Sequence, residues 1–586
     1  MIHDRRISSA ILLGLLCSLQ AVLAGKLAEI VQTARLRNGV ILLVNAEPAT
    51  YDEAAATGCT VRGLESDSAA VAALRKRFLA KGIYGKLSVA SFDGKVLPCI
   101  DSLANIVLVG KANVSQAEAL RILVPGGTAL FKTDAGWQTH VKPWPKEMGE
   151  WNQYLCGADN NGAAKDSAGP PERLQWTAGS RYGRVKVVMP SVTSMVSDNG
   201  RLFTIEDMAT TESGRLPKQY VLLARDAFNG CELWRHPLKD WDKEGCHPVK
   251  DIPVQLQRLV LAVDGKVYCT DGYDGPITVF DGATGDILST FKNSENTREL
   301  AHAGGMIFAI QGEPYAFRTG VGKRKGFDAL EIATVKLSAR DAGSGKTLWE
   351  IPIEGTDGYI GGTLSIKSGK LAYLTRNALV CRNSKTGQEI WRQAYPYFQD
   401  MPRKGVYILK YNNSPPTLVM TEKWLFCSDL NLVKAYSMAD GSLLWQGNTE
   451  CNYTKNGDLF YVDGLVWTGF LKGLDPATGE VKRELQQNMT GPMSHDRCYR
   501  NRITQEYYIN SKSGGTDLVA LDGSGEYPGP WMRATCGLAM TPSFGRLYSS
   551  PYVCACEIGS MLLGFNCTYN QSRDQGKLMA IEPASH

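Results

Sequence analysis

The sequence predicts a mainly β protein: a propeller of eight blades, with seven as the alternative count, preceded by a small α/β Rossmann-like domain. Three observations predict it. Segments of one form, from "ARDAFNGCELW" (224–234) to "ALDGSGEYPGPW" (520–531), recur through the later part of the chain. Its 60 Gly and 26 Pro supply turns for many short strands. Before residue 136, by contrast, strand-like apolar runs alternate with helical ones, as in a parallel sheet covered by helices.

At the N-terminus "MIHDRR" is a basic stretch and "ILLGLLCSLQAVLA" an apolar one, ending in small residues before Gly25. This is the pattern of a cleavable export signal over residues 1–24. The apolar run falls short of the roughly 20 residues needed to span a bilayer. A periplasmic or secreted protein with no transmembrane segment after cleavage is therefore expected. The formal charge of +5 is spread out, with "RKRF" (75–78) and "GKRKG" (322–326) the compact basic runs, so no nucleic-acid partner is expected.

Residues 25–135 form the predicted α/β domain. "GVILLVNA" (39–46) and "CTVRGLESD" (59–67) read as strands and "SAAVAALRKRFLAKG" as a helix ending at glycine. "GKLSVASFDG", "LANIVLVG", "SQAEALRILVPGG" and "TALFKTD" continue the alternation. The order resembles the class I methyltransferase domain, and the resemblance implies Glu65 as a ribose-binding acid and Asp93 at the adenine position of S-adenosylmethionine. The turn after the first strand departs from the family. It reads "VNAEPATY", without the glycine that lets backbone approach the cofactor, and Pro48 lacks an N–H. A degenerate domain with a structural or docking role is the expectation, with S-adenosylmethionine unlikely as its cofactor and a methyltransferase as the alternative.

Residues 136–170 read as a connector carrying Trp137, Trp144 and Trp151, and residues 171–586 as the propeller. "VFDGATGDIL" (279–288), "ARDAGSGKTLW" (339–349), "CRNSKTGQEIW" (381–391), "AYSMADGSLLW" (435–445) and "GLDPATGEV" (473–481) complete the repeat. In each unit a strand ends in a polar residue, a tight turn uses Gly, and the next strand carries a Trp for the neighbouring blade. "RLQWTAG" (173–179) supplies one further Trp strand. Asp226, Asp281, Asp341, Asp475 and Asp522 are expected to bond their own turns. The repeat resembles the tryptophan-docking motif of the pyrroloquinoline quinone (PQQ) dehydrogenase superfamily. With the export signal, "GEWNQYL" and "HDRCYRNR", the layout looks like PQQ-like repeat proteins of planctomycete-type bacteria. That superfamily includes scaffolds as well as quinoproteins. PQQ with Ca²⁺ is the cofactor alternative, but the sequence has no adjacent cysteine pair, and no metal ligand set is assigned.

"SHDRCYRNR" (494–502) concentrates one His, three Arg, one Tyr and one Cys. As a strand it would place His495, Arg497, Tyr499 and Asn501 on one face, and Asp496, Cys498, Arg500 and Arg502 on the other. His495, Arg497, Tyr499 and Arg500 are the candidate catalytic or binding residues: Arg would neutralise a sugar carboxylate and His or Tyr remove the adjacent proton, as in propeller polysaccharide lyases. The competing reading pairs Arg497, Arg500 and Arg502 with turn acids. Cys498, Cys536, Cys554 and Cys556 are candidates for a disulfide closing the last blade. The function expected is a binding or scaffold module whose axial face takes a small polar molecule, a carbohydrate or a cell-envelope protein. The alternatives are a lyase-like enzyme and a PQQ-dependent dehydrogenase.

Overall fold

The computed structural model describes residues 26–179, 191–209, 216–241, 254–312, 335–353, 358–395, 416–429, 432–449, 458–488, 500–535, 537–551 and 562–570. The chain divides into two compact units, changing over between Trp144 and Pro145.

The first unit is built on a six-stranded sheet. β1 (Val40–Val44), β2 (Thr60–Glu65), β3 (Leu87–Ser91), β4 (Ala104–Val109), β5 (Leu123–Thr133) and β6 (Gly136–Val141) lie in the order β3-β2-β1-β4-β5-β6. The first five run parallel and β6 returns antiparallel to β5. β1 reads "VILLV" without alternation because it is central and apolar clusters cover both faces of the sheet. Helix Ser68–Ala80 starts where the Asp67 side chain accepts the Ala69 N–H, and helix Gln116–Ile122 where Ser115 accepts that of Glu118. The domain end expected at residue 135 needs correction: β6 occupies the first part of the expected connector, because its N–H groups complete the edge of β5.

The second unit is a propeller of eight four-stranded antiparallel blades. The innermost strands, in order, are Val192–Asp198, Val260–Val263, Thr297–Ala303, Ser365–Lys367, Thr417–Met420, Leu459–Val462, Arg502–Ile503 and Thr541–Ser543. The outermost strand of blade 8 is Arg173–Ala178, which pairs with Phe565–Tyr569 and so closes the ring with chain from before blade 1. Each outer Trp docks on the turn of the next blade. Trp176 Nε1 donates to Ala227 O at 2.9 Å, Trp234 to Gly282 O at 3.0 Å, Trp349 to Ser384 O at 3.0 Å, Trp391 to Met438 O at 3.3 Å and Trp445 to Pro476 O at 2.9 Å. Glycine is required beneath the indole: Gly441 has φ +78°, and a Cβ there would come within 2.5 Å of Trp391. Phe291 fills the same place against Gly345, and Arg483 reaches Leu521 O where blade 6 lacks a Trp. The turn acids bond their own loops, as Asp226 does with Phe228 N and Asp475 with Ala477 N.

The rest of the expected connector is also corrected. Residues 149–166 form an inner belt that makes a full lap of the ring, touching the blades in order near the C-terminal ends of their innermost strands. Gly149 O accepts from Phe544 N in blade 8, and Trp151 O from Ser197 N in blade 1. Asn152 O accepts from Ala262 N in blade 2, and Gln153 exchanges two 3.0 Å bonds with the backbone of His302 in blade 3. Ala158 O accepts from Ile366 N in blade 4, and Asp159 O from Met420 N in blade 5. Asn161 exchanges two 2.8 Å bonds with the backbone of Tyr461 in blade 6, and Ala164 N donates to Ile503 O in blade 7. Asp166 fastens the lap: its Oδ2 accepts from Gly149 N, where the belt begins, and from Gly545 N in blade 8. Inner strands that face no further strand thus have backbone partners, which buried polar groups require.

Candidate functional site

The belt lies near the C-terminal ends of the innermost strands, so residues at or before their N-terminal ends lie toward the other end of the axis. A connected set of buried polar side chains collects there. Arg258 Nη1 donates to Glu299 Oε1 at 2.7 Å, and its guanidinium stands 4.9 Å over the Tyr154 ring. Glu299 Oε2 also accepts from the Tyr359 hydroxyl at 2.6 Å and Gly362 N at 2.9 Å. Glu299 is 1% exposed, and this pair meets the condition for burying opposite charges, since each partner has further polar contacts.

Blade 7 contributes a second group without that balance. Arg502, 3% exposed, donates to Asn501 O at 3.1 Å and Leu538 O at 3.3 Å. Its guanidinium lies 5.1 Å from the ring of Trp151 in the belt. Its Nε is buried without a partner. Arg500, 7% exposed, donates to Thr417 Oγ1. Neither guanidinium has a carboxylate ion pair among the described residues. Burial pushes Arg502 down to about 10, and the nearby charge of Arg500 acts in the same direction, while that of buried Asp458 opposes it.

The predicted residues fare unequally. His495, Arg497, Cys498 and Tyr499 lie outside the described residues, as do Cys536, Cys554 and Cys556 and the export signal. Arg500 is placed at the axis. Two expectations about this stretch are corrected. Of its described residues, Arg500 and Asn501 precede the strand that begins at Arg502, and all three are buried, so the alternation of faces does not extend through them. Nor do Arg500 and Arg502 pair with turn acids, which are occupied in their own outer loops. No disulfide joins any two of the eight described cysteines, Cys59, Cys99, Cys156, Cys231, Cys269, Cys381, Cys427 and Cys567. Sequence reasoning missed Arg258, Glu299, Tyr359 and the belt residues Trp151 and Tyr154. "GEWNQYL", with two aromatics in a supposed connector, was the available signal for the last two.

In the first unit Glu65 stands at the end of β2, where the resemblance implies it, but its carboxylate is engaged. Tyr51 OH donates to Oε1 at 2.5 Å, and burial raises the acid above its usual range. Asn45, with φ +43°, replaces the expected glycine turn and bonds both Ser66 and Lys111 O. Asp93 is exposed and caps its own loop through Lys95 N and Val96 N. These residues do not fit an S-adenosylmethionine site: the ribose acid is bound by a protein hydroxyl and the strand ends are bridged by Asn45.

Among the described residues no group of three or more His, Cys, Asp or Glu side chains is placed to hold a metal ion. The axial donor set, rich in guanidinium, suits an anion, whereas Ca²⁺ requires oxygen ligands. No helix among the described residues is long and apolar enough to cross a membrane.

Comparisons with known proteins agree with the ring. No curated protein matches the chain. Among solved structures, quinohemoprotein alcohol dehydrogenase from Comamonas testosteroni is 11% identical, with a TM-score of 0.46 over 75% of this chain and 82% of that one. BamB from Moraxella catarrhalis is 11% identical, with a TM-score of 0.35 over 60% of this chain and 95% of that one. A putative S-adenosyl-L-methionine-dependent methyltransferase from Methanococcus maripaludis is 16% identical, with a TM-score of 0.16 over 18% of this chain and 51% of that one. The PQQ_2 family model, described as outer membrane protein assembly factor BamB, matches residues 172–358 and 333–526. These segments together span more than half of the chain, and the chain belongs to the PQQ_2 family of PQQ-like propellers.

Proposed function

We propose that this chain is an exported binding module of the cell envelope whose ring receives a small polar or carbohydrate ligand in the axial space between the inner belt and the N-terminal ends of the inner strands. The observation that carries the reading is the asymmetry of the ring: the belt bonds near the C-terminal ends of the inner strands, and Arg258, Glu299, Tyr359, Arg500 and Arg502 gather on its other side, Arg258 against Tyr154 and Arg502 against Trp151 of the belt. The side chains that would meet a ligand sit on a frame of strands held by the belt, as precise recognition requires. The α/β unit acts as a structural or docking domain, in keeping with the engaged Glu65.

A thermal-shift panel of neutral and acidic oligosaccharides, PQQ with Ca²⁺, and S-adenosylmethionine tests the reading. A ligand at 100 times its Kd adds about 2.7 kcal/mol of stability. The reading expects an oligosaccharide to raise Tm, with the increment lost in Arg500→Met. Stabilisation by PQQ with Ca²⁺ would replace it with the quinoprotein reading. Silence of the whole panel would leave a protein partner as the occupant.

A second reading follows from chain position: His495, Arg497 and Tyr499 immediately precede Arg500. In it Arg500 neutralises the carboxylate of an acidic sugar while His495 or Tyr499 removes the neighbouring proton, and elimination leaves an unsaturated product. Ultraviolet absorbance of a uronic-acid oligosaccharide incubated with the protein tests it. A rise that Tyr499→Phe abolishes supports the lyase.

A further inference from the structure

We infer that the axial space between the belt and the N-terminal ends of the inner strands is a receptor for a single carboxylate, with Arg500 and Arg502 as its cations and Trp151 of the belt as the support that positions Arg502. The inference rests on the axial-binding reading above and names the chemistry of its ligand. Two guanidiniums are buried next to one another, and their bonds go to neutral oxygens: Thr417 Oγ1 for Arg500, and Asn501 O and Leu538 O for Arg502. Asp458 is buried nearby and its charge acts on Arg502, but no ion pair joins the two. A buried charge without a counter-ion is costly, and a bound anion would supply what the protein withholds.

The contrast with Arg258 sharpens the assignment. That guanidinium, at the same end, is matched by Glu299, so the fold supplies a carboxylate where the charge is structural. A monoanionic carboxylate presents two oxygens to a planar fork, whereas a phosphate monoester brings about −1.5 to −2 charges into a buried place. Trp151, 1% exposed, is held to blade 1 through its backbone on both sides, by Ser197 Oγ at 2.7 Å and Ser197 N at 2.8 Å. Its indole therefore fixes the Arg502 plane from the belt side.

Titration calorimetry with sodium glucuronate, glucose and inorganic phosphate on the purified full chain tests the inference. Glucuronate is expected to bind more tightly than either control. Arg500→Met and Arg502→Met should each weaken it on the order of 30-fold or more, and Arg500→Lys, which keeps the charge but loses the fork, should weaken it less. The two Met variants should melt no lower than the parent, since each removes a buried charge that no carboxylate matches. Trp151→Phe should weaken glucuronate and leave glucose unchanged. Glucose binding as tightly as glucuronate would sink the carboxylate assignment while leaving axial binding in place. Phosphate binding as tightly would make the site a general anion site and overturn the assignment too. Absence of glucuronate binding refutes it outright, and if the oligosaccharide panel is also silent the axial reading falls with it. Met variants that melt well below the parent would show the guanidiniums to be structural.

Discussion

At the belt end of the ring, most bonds between belt and blades join one neutral backbone or amide group to another, and the one carboxylate that closes the lap accepts three backbone N–H groups. On the side of the inner strands' N-terminal ends, Arg258 is buried against the Glu299 carboxylate while Arg500 and Arg502 are buried with hydroxyl or carbonyl partners, and a buried Nε of both Arg258 and Arg502 is left without any. The belt end is thus built for permanence. Dispersed bonds, most of them between neutral groups and each worth about 1 kcal/mol net, hold eight blades at one radius. The other end keeps charge in reserve, the arrangement expected where an outside partner completes the balance.

Three substitutions probe this contrast. The largest effect is expected for Glu299→Gln, which leaves Arg258 buried without its carboxylate and should cost about 3–5 kcal/mol in urea unfolding. A loss below about 1 kcal/mol would mean that Arg258 is no more structural than Arg502, and the distinction between paired and unpaired guanidiniums would disappear. Asp166→Ala strips the acceptor from Gly149 N, Ala168 N and Gly545 N and should cost about 3 kcal/mol, since each orphaned N–H costs about 1 kcal/mol or more. Unchanged stability would show that the belt is not fastened there.

The smallest effect concerns pH. Asp198, at the end of the innermost strand of blade 1, is pushed up to about 6, first by burial and then by the charge of Glu150 in the belt. Because its folded value lies above the ordinary 3.8, its contribution is complete below pH 4 and is lost as pH rises through about 6. Asp198→Asn should therefore raise Tm at pH 8 relative to the parent, by an amount on the order of 1 kcal/mol, and change little at pH 4. The turn acids Asp475 and Asp522 go the other way, Asp475 held low by the N–H groups of Ala477 and Thr478 and Asp522 by the Ser524 hydroxyl and then its N–H. Their contribution is present at neutral pH and fades as pH falls.

Legibility in the sequence follows the same division. The blades could be read because the turn recurs with its glycine, and Arg483 in place of Trp keeps the spacing from Gly479, whereas Phe291 comes two residues later than a Trp would. The closing strand of blade 8 could be anticipated from "RLQWTAG". The belt occurs once and has neither period nor alternation, because its partners are backbone groups that accept almost any residue of small bulk. "GADNNGAA" therefore reads as a loop. Arg500 was legible only as one basic residue among several. Nothing local distinguishes a buried arginine from an exposed one, and Arg258, in the innocuous "QLQRLV", acquires its meaning from Glu299 in the next blade and Tyr154 in the belt. In the α/β unit, the missing glycine after β1 was legible in the sequence, and Asn45 occupies that turn.

The most direct measurement of the ring's asymmetry is amide hydrogen exchange at Ala262, Ile366, Met420, Tyr461 and Phe544, whose N–H groups donate to the belt in five different blades. If the belt is an integral ring, these amides exchange only with global unfolding in the parent and accelerate together in Asp166→Ala, while Gly362 N, bonded to Glu299 at the other end, keeps its protection. Exchange of the five amides at loop rates in the parent, or independent of Asp166, would contradict the account.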